Sequence, residues 1–158
     1  MTELVAFELD KIVIALQAST VIRVVHAVEI ATLPGAPDIV IGIIEVGGLV
    51  IPVVNLRRRL GLPEQPLQLS DRFVIALSGQ RTLAIVADVV AGVFDYNDTD
   101  ITDPSSLISG TRHITGIAHR NSDIIFIHDL NRFLFSDEAE ILDNAMTAIG
   151  GQDTVHAF

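Results

Sequence analysis

His128 and Asp129 stand side by side, a base next to a carboxylate that could orient it, as nucleophilic catalysis requires. The pairing fails on direction, because adjacent strand residues point to opposite faces and no serine nucleophile is implied nearby. A strand histidine beside a helix cap is the simpler reading. The five histidines, His26, His113, His119, His128 and His156, form no H-x-x-x-H pair and no H-x-E signature. The acidic run from Asp95 to Asp103 invites a calcium reading, since Asp95, Asn97 and Thr99 match the first three ligand positions of an EF-hand loop. The sixth position holds Asp100 instead of Gly, the twelfth holds Ser106 instead of Glu, and no helices are expected to flank it. A solvated acidic turn fits better. The chain has no G-x-S-x-G elbow, no phosphate loop, no G-x-G-x-x-G and no Cys. No catalytic residue, no metal ligand and no cofactor site is expected.

What remains is a protein that works by contact. The 158 residues suit one domain or two small intertwined lobes. Apolar residues make up 49% and aromatic residues only 5%, with no Trp, so the core must be built from Val, Ile and Leu. The β-branched Val and Ile among them favour strands. A net charge of -10 argues against nucleic acid and anionic lipid as partners. The basic cluster Arg57-Arg58-Arg59 reads as a solvated helix face. The most apolar run, Gly42 to Leu56, carries Glu45, Gly47, Gly48 and Pro52 and falls short of the ~20 residues of a membrane span. No signal peptide is read at the start, so a soluble, cytoplasmic protein with no direct membrane insertion is expected.

The elements that position these residues are duplicated. Gly42-Ile43-Ile44 through Val50 to Leu60 aligns without a gap on Gly116-Ile117-Ala118 through Ile124 to Leu134. Each copy reads as strand, tight turn, strand, then Asn55 or Asp129 as a helix N-cap, then a short helix. Gly61 can end the first helix. More loosely, Leu4-Val5-Ala6-Phe7 through Val24 matches Phe73-Val74-Ile75-Ala76 through Val93, with turns at Asp10-Lys11 and Ser78-Gly79-Gln80. The pattern predicts an all-β chain of two similar units of four or five short strands, in small barrels or a sandwich. Gly61 to Pro66 is a connector. Pro52 should lie at a sheet edge or bulge, because it cannot donate to a ladder. A C-terminal helix is expected from Asp137, with a capping-box-like Asp137 and Glu140. Its stripe is Ile141, Leu142, Ala145, Met146 and Ile149, and Gly150-Gly151 should stop it. The expected organisation is a single domain over 1–150, a second lobe starting near 70, and a flexible tail over 151–158.

Several stretches together resemble the CheW family of chemotaxis coupling proteins. They are Pro34-Gly35-Ala36-Pro37-Asp38, Ile41 to Ile44, Val50 to Arg57, Val86-Ala87-Asp88-Val89-Val90, and Ile124 to Leu134. The likeness covers roughly residues 4 to 142, and the stretch Glu138 to Ala145 resembles a helix of the family. The resemblance implies two five-stranded SH3-like β-barrel lobes around a shared apolar core, and no catalytic activity. It implies two partners: the cytoplasmic tip of methyl-accepting chemoreceptors, bound in a groove between the lobes, and the regulatory domain of a CheA-type histidine kinase, bound barrel to barrel. It also implies recruitment to membrane-associated receptor clusters. Val21, Gly42, Gly48, Phe73 and Val93 fall where family members have residues implicated in partner contacts, against a competing reading as core or turn positions.

Two departures stand out. The family turn that usually reads Asn-Leu-Arg-Gly, with an Arg that contributes to receptor binding, is Glu45-Val46-Gly47-Gly48 here, and Arg23 stands where the family often has Glu. The signs look exchanged, which predicts a partly exposed Arg23–Glu45 pair. Ile14-Ala15 replaces a common Tyr-Gly. Three rivals remain: a divergent family member that binds the kinase but not ordinary receptors and serves pilus motility or another output, a small enzyme or small-ligand-binding β-barrel, and a purely structural interaction domain cut from a larger chain.

Overall fold

The computed structural model describes residues 1–79, 81–104 and 114–156. Ten strands form two five-stranded sheets. Lobe A has the order β8-β1-β2-β10-β9, from β8 (Val89–Tyr96), β1 (Thr2–Leu9), β2 (Ile12–Gln17), β10 (Asp123–His128) and β9 (Ile114–Arg120). Lobe B has the order β3-β6-β7-β5-β4, from β3 (Val21–His26), β6 (Arg72–Ser78), β7 (Arg81–Ala87), β5 (Leu49–Val54) and β4 (Val40–Val46). Helix α1 (Leu56–Leu60) follows β5, a 3-10 turn (Leu130–Arg132) follows β10, and α2 (Ser136–His156) closes the described chain.

The repeat boundary near residue 70 is therefore not a lobe boundary. The first copy gives β1 and β2 to lobe A, then crosses to give β3, β4 and β5 to lobe B. The second copy gives β6 and β7 to lobe B, then crosses back with β8, β9 and β10. Neither copy closes a sheet alone.

Strand alternation explains why β1, β2, β6 and β7 are apolar on both faces. In β1, Leu4 and Ala6 enter the core of lobe A, while Phe7 and Leu9 enter a larger core shared between lobes. In β6, Phe73 and Ile75 enter the core of lobe B, while Val74 and Ala76 enter the shared core. A strand buried on both faces loses its polar alternation and reads as a continuous apolar run.

The tight turns are set by positive φ. Gly47 (φ 59) and Gly48 (φ 85) join β4 to β5 with Val46 opposite Leu49, and Asp10 (φ 55) and Lys11 (φ 90) join β1 to β2. Positive φ at both central residues is the hairpin geometry that matches strand twist. Register shifts come in equivalent pairs. Ile22 in β3 and Ala91 in β8 are skipped by their ladders, and so are Ile41 in β4 and Thr115 in β9. These are the same positions in the two copies.

Pro52 departs from expectation. It lies in β5, between β4 and β7, and not at the shifted residue. Its partner Ile43 gives both backbone groups to Ala31, so Ile43 and Pro52 turn their backbones away from each other. Pro52 thus aims its nitrogen toward β7, and the β5–β7 ladder begins only at Val53. The missing donor is accommodated by ending the ladder.

The helix ends are mixed. Asn55 accepts a 3.0 Å bond from Arg57 N–H, Asp129 accepts one of 2.9 Å from Asn131 N–H, and Gly61 ends α1 in the left-handed region (φ 71). In α2 it is Glu138 that reaches back, to Phe135 N–H at 2.8 Å, one turn from the helix start. Gly150-Gly151 do not stop this helix, which runs to His156. The inward stripe is Leu142, Ala145 and Met146, with Ile141 and Ile149 exposed.

Gly42 is the position where glycine is required. A Cβ there would sit 2.2 Å from the Ala31 carbonyl oxygen and 2.6 Å from Ile30 Cγ2, because the 30–31 segment crosses directly over β4. Gly42→Ala is expected to destabilise by about 1–3 kcal/mol, the range for overpacking a tight site. Gly47→Ala meets nothing within 4 Å and should cost only about 1 kcal/mol, from its positive φ. Urea unfolding of the two variants tests this order, and equal midpoints would contradict it.

Candidate protein-binding surface

The basic cluster is the junction of the molecule and not a solvated face. Asn55 starts α1 so that Arg57 turns inward, and Arg57 retains 5% side-chain exposure. Its Nη2 donates to Asp10 Oδ1 at 3.1 Å, to both Asp88 oxygens at 2.9 Å, and to Gln65 Oε1 at 3.1 Å. Asp10 sits in the β1–β2 turn of lobe A, and Asp88 lies where β7 of lobe B passes into β8 of lobe A. Asp10 N–H donates to Asp88 Oδ2 at 2.9 Å, which closes the cluster. Burial alone would lower the Arg57 pKa, but the hydrogen bond and charge of Asp88, with those of Asp10, raise it above the usual arginine value.

The neighbours of Arg57 are also engaged. Arg59 pairs with Glu138 of α2 and lies 4.1 Å from the Phe135 ring centroid and 5.4 Å from that of Phe133. Only Arg58 is substantially exposed, and it pairs with Glu64 at 2.8 Å. The connector is tied down by the same groups, through Glu64 on Asn55 and Gln65 on Arg57 and Asp10. A clue existed in the repeat: Arg59 aligns with Phe133, a fully buried core residue. Three successive cations hid it.

The candidate contact residues separate into four groups. Phe73 lies in the core of lobe B and Gly42 under the 30–31 segment, so both belong to the fold and not to a surface. Val21 is half-buried against the shared core. Glu45, Gly47 and Gly48 are exposed at the β4–β5 turn, and Arg23 is exposed on β3. Val93 is 56% exposed on β8. Among the described residues Arg23, on β3, and Glu45, on β4, form no ion pair.

The groups considered for chemistry are used structurally. His128 is buried, and the Asp129 carboxylate caps Asn131 and faces Arg132 at 3.6 Å. A hollow of about 270 Å³ beside them includes Thr20 and Thr115, but the Thr20 hydroxyl donates to Gln17 O at 2.7 Å. In the acidic loop, Asp98 accepts from Thr2 Oγ1 at 2.5 Å and lies 3.7 Å from the Met1 amino group. The hydrogen bond and then the amino charge hold its carboxyl below the usual range. Ser106 and His113 lie outside the described residues. Among the described residues, no group of three or more His, Cys, Asp or Glu is placed to hold a metal ion. No helix among them is long and apolar enough to cross a membrane.

What the surface does offer is two apolar strand edges. β3 ends the lobe B sheet and exposes Ile22 (54%) and Val24 (39%). β8 ends the lobe A sheet and exposes Val89 (52%) and Val93. The two strands occupy the same position in the repeat, with Val24 matching Val93.

A family model described as CheW-like domain matches residues 3–138. The chain belongs to the CheW-like family. A chemotaxis protein CheW from Treponema pallidum is 27% identical over 148 residues, covering 90% of this chain and 87% of that one. The protein FrzA from Myxococcus xanthus is 25% identical over 130 residues, covering 82% and 81%. The crystal structure of the scaffolding protein TtCheW from Thermoanaerobacter tengcongensis superposes with a TM-score of 0.79 at 25% identity, covering 87% of this chain and 94% of that one. CheW-like proteins are chemotaxis scaffold adaptors and not enzymes, and this chain shares their two-lobed β fold.

Arg57→Ala should leave two carboxylates facing each other across the junction. Breaking a fully buried pair costs about 3–5 kcal/mol. Asp10 and Asp88 keep 26% and 30% of their side-chain exposure, so water screens part of that. A loss of about 2–4 kcal/mol in urea unfolding is expected, and a loss below 1 kcal/mol would show that the junction is not what joins the lobes.

Proposed function

We propose that the chain is a non-catalytic adaptor that couples chemoreceptors to a CheA-type histidine kinase. The observation that carries this reading is the pair of repeat-equivalent edges, β3 on lobe B and β8 on lobe A. Each exposes apolar side chains beside a backbone edge with one neighbouring strand among the described residues. Such an edge accepts an added strand or a second sheet. The polar residues beside them differ, with Arg23 on β3 and Asp95 on β8. Arg120 also stacks on Phe94 of β8, so the two edges carry different charge patterns, and charge at the rim sets partner choice more than affinity.

In this reading the β8 edge with Val93 takes the kinase regulatory domain. The β3 edge with Arg23, together with the Glu45–Gly48 turn, takes the cytoplasmic receptor tip. The protein acts in the cytoplasm, at receptor clusters. The buried Arg57 junction gives the adaptor a fixed angle between its two partners.

A second reading is favoured by one residue. Gly47 stands where the family resemblance leads one to expect an Arg that contributes to receptor binding. A divergent adaptor that binds the kinase but not ordinary receptors would need no such Arg. FrzA, one of the relatives, is not named as a chemotaxis protein CheW.

Co-sedimentation with receptor tips and with kinase regulatory domain, measured separately, tests both. Val24→Lys should weaken receptor binding at least about tenfold and leave the kinase within about twofold, and Val93→Lys should do the reverse, as expected for a charge placed in a desolvated contact. If each variant weakens both partners, or neither, the two-edge reading fails. Gly47→Arg should strengthen receptor binding if the turn is part of that surface. No receptor binding by the parent chain or by Gly47→Arg, with kinase binding intact, selects the second reading.

A further inference from the structure

The two lobes close differently. In lobe A the parallel ladder joins Ile125, Phe126 and Ile127 of β10 to Val13, Ile14 and Ala15 of β2. In lobe B the equivalent strands join only Val53 and Val54 of β5 to Ala84 and Ile85 of β7. The equivalent of Phe126 is Pro52, which has no N–H to give. Among the described strands the first half of β5 is therefore hydrogen-bonded to β4 alone, although Ile51 packs in the lobe B core, and a hollow of about 470 Å³ opens beside it, lined by Leu49, Val50, Pro52, Arg81, Thr82 and Met146 among others. Helix α2 borders this hollow. Its Asp143 pairs with Arg81 of β7, its Met146 lines the wall, and Leu142 and Ala145 anchor it in the shared core. Asp143 and Met146 lie beyond residue 138, where the match to the family model ends.

We infer that α2 is a latch on the β4–β5 hairpin: the Asp143–Arg81 pair holds the helix across the gap that Pro52 leaves open, and the latch sets how freely the hairpin tip at Glu45–Gly48 moves. A strand with a full ladder on one side only opens locally more often than one held on both sides. The helix supplies the restraint that the missing backbone bonds do not. The latch rests on the geometry of lobe B. Its consequence for binding rests on the proposed receptor role of the Glu45–Gly48 turn.

Amide hydrogen exchange on the full chain tests it. In Asp143→Asn, the amides of Val46 to Ile51 should exchange about two- to fivefold faster, the size expected for losing one half-exposed ion pair. The ladders of lobe A should be unchanged. The double exchange Arg81→Asp with Asp143→Arg should restore slow exchange. Unchanged exchange at Val46 to Ile51 in Asp143→Asn overturns the latch. Receptor co-sedimentation of the same variant reads the second step: faster exchange with altered receptor binding supports the link, and faster exchange with unaltered binding overturns the link while the latch itself stands.

Discussion

A single guanidinium, buried at the meeting of a hairpin turn, a helix start and a crossing strand, holds the geometry of this protein together. Arg57 belongs to lobe B, Asp10 to lobe A, and Asp88 to the passage between them. The apolar core around it is shared by both lobes, but apolar packing is non-directional and tolerates sliding. A charged cluster in fixed hydrogen-bond geometry does not. The division of labour follows: Val, Ile and Leu supply the cohesion, and one arginine supplies the angle.

Strand exchange makes that angle matter. Because each copy of the repeat contributes to both sheets, the lobes fold together, and neither is a separable unit. The two lobes are therefore interlocked by the course of the chain itself. The two edge strands that face outward, β3 and β8, are also the ones that follow each crossing. The device that interlocks the lobes therefore places one apolar edge on each of them.

Much of this was legible in the residues. The gapless match of Gly42–Leu60 to Gly116–Leu134 carries two hairpins and two helix caps, and Asn55, Asp129 and Gly61 do what their types suggest. The looser match of Leu4–Val24 to Phe73–Val93 carries the strands that the structure buries on both faces. What periodicity does not carry is the identity of the neighbouring strand, so the crossings were invisible and the repeat boundary passed for a lobe boundary. Local pattern misled in three places for one reason: tertiary context outweighed it. Three adjacent arginines looked solvated, yet carboxylates distant in sequence bury the first. Pro52 looked like an edge residue, yet it ends a ladder inside the sheet. Arg23 and Glu45 looked like partners by sign, yet no ion pair joins them among the described residues. Among the candidate contact residues, side-chain type alone did not separate Phe73, inside a barrel, from Val93, outside one.

The paired bulges carry a consequence for the life of the protein in a crowded cell. Ile22 and Ala91 sit in the very strands that bare apolar side chains and, among the described residues, pair with one strand only. A flat edge of that composition would template indiscriminate growth of sheet between copies or with any unfolded chain. The extra residue kinks each edge, so a straight strand falls out of step after a few bonds. Only a surface shaped to the kink can run the length of the edge, which disfavours indiscriminate growth of sheet.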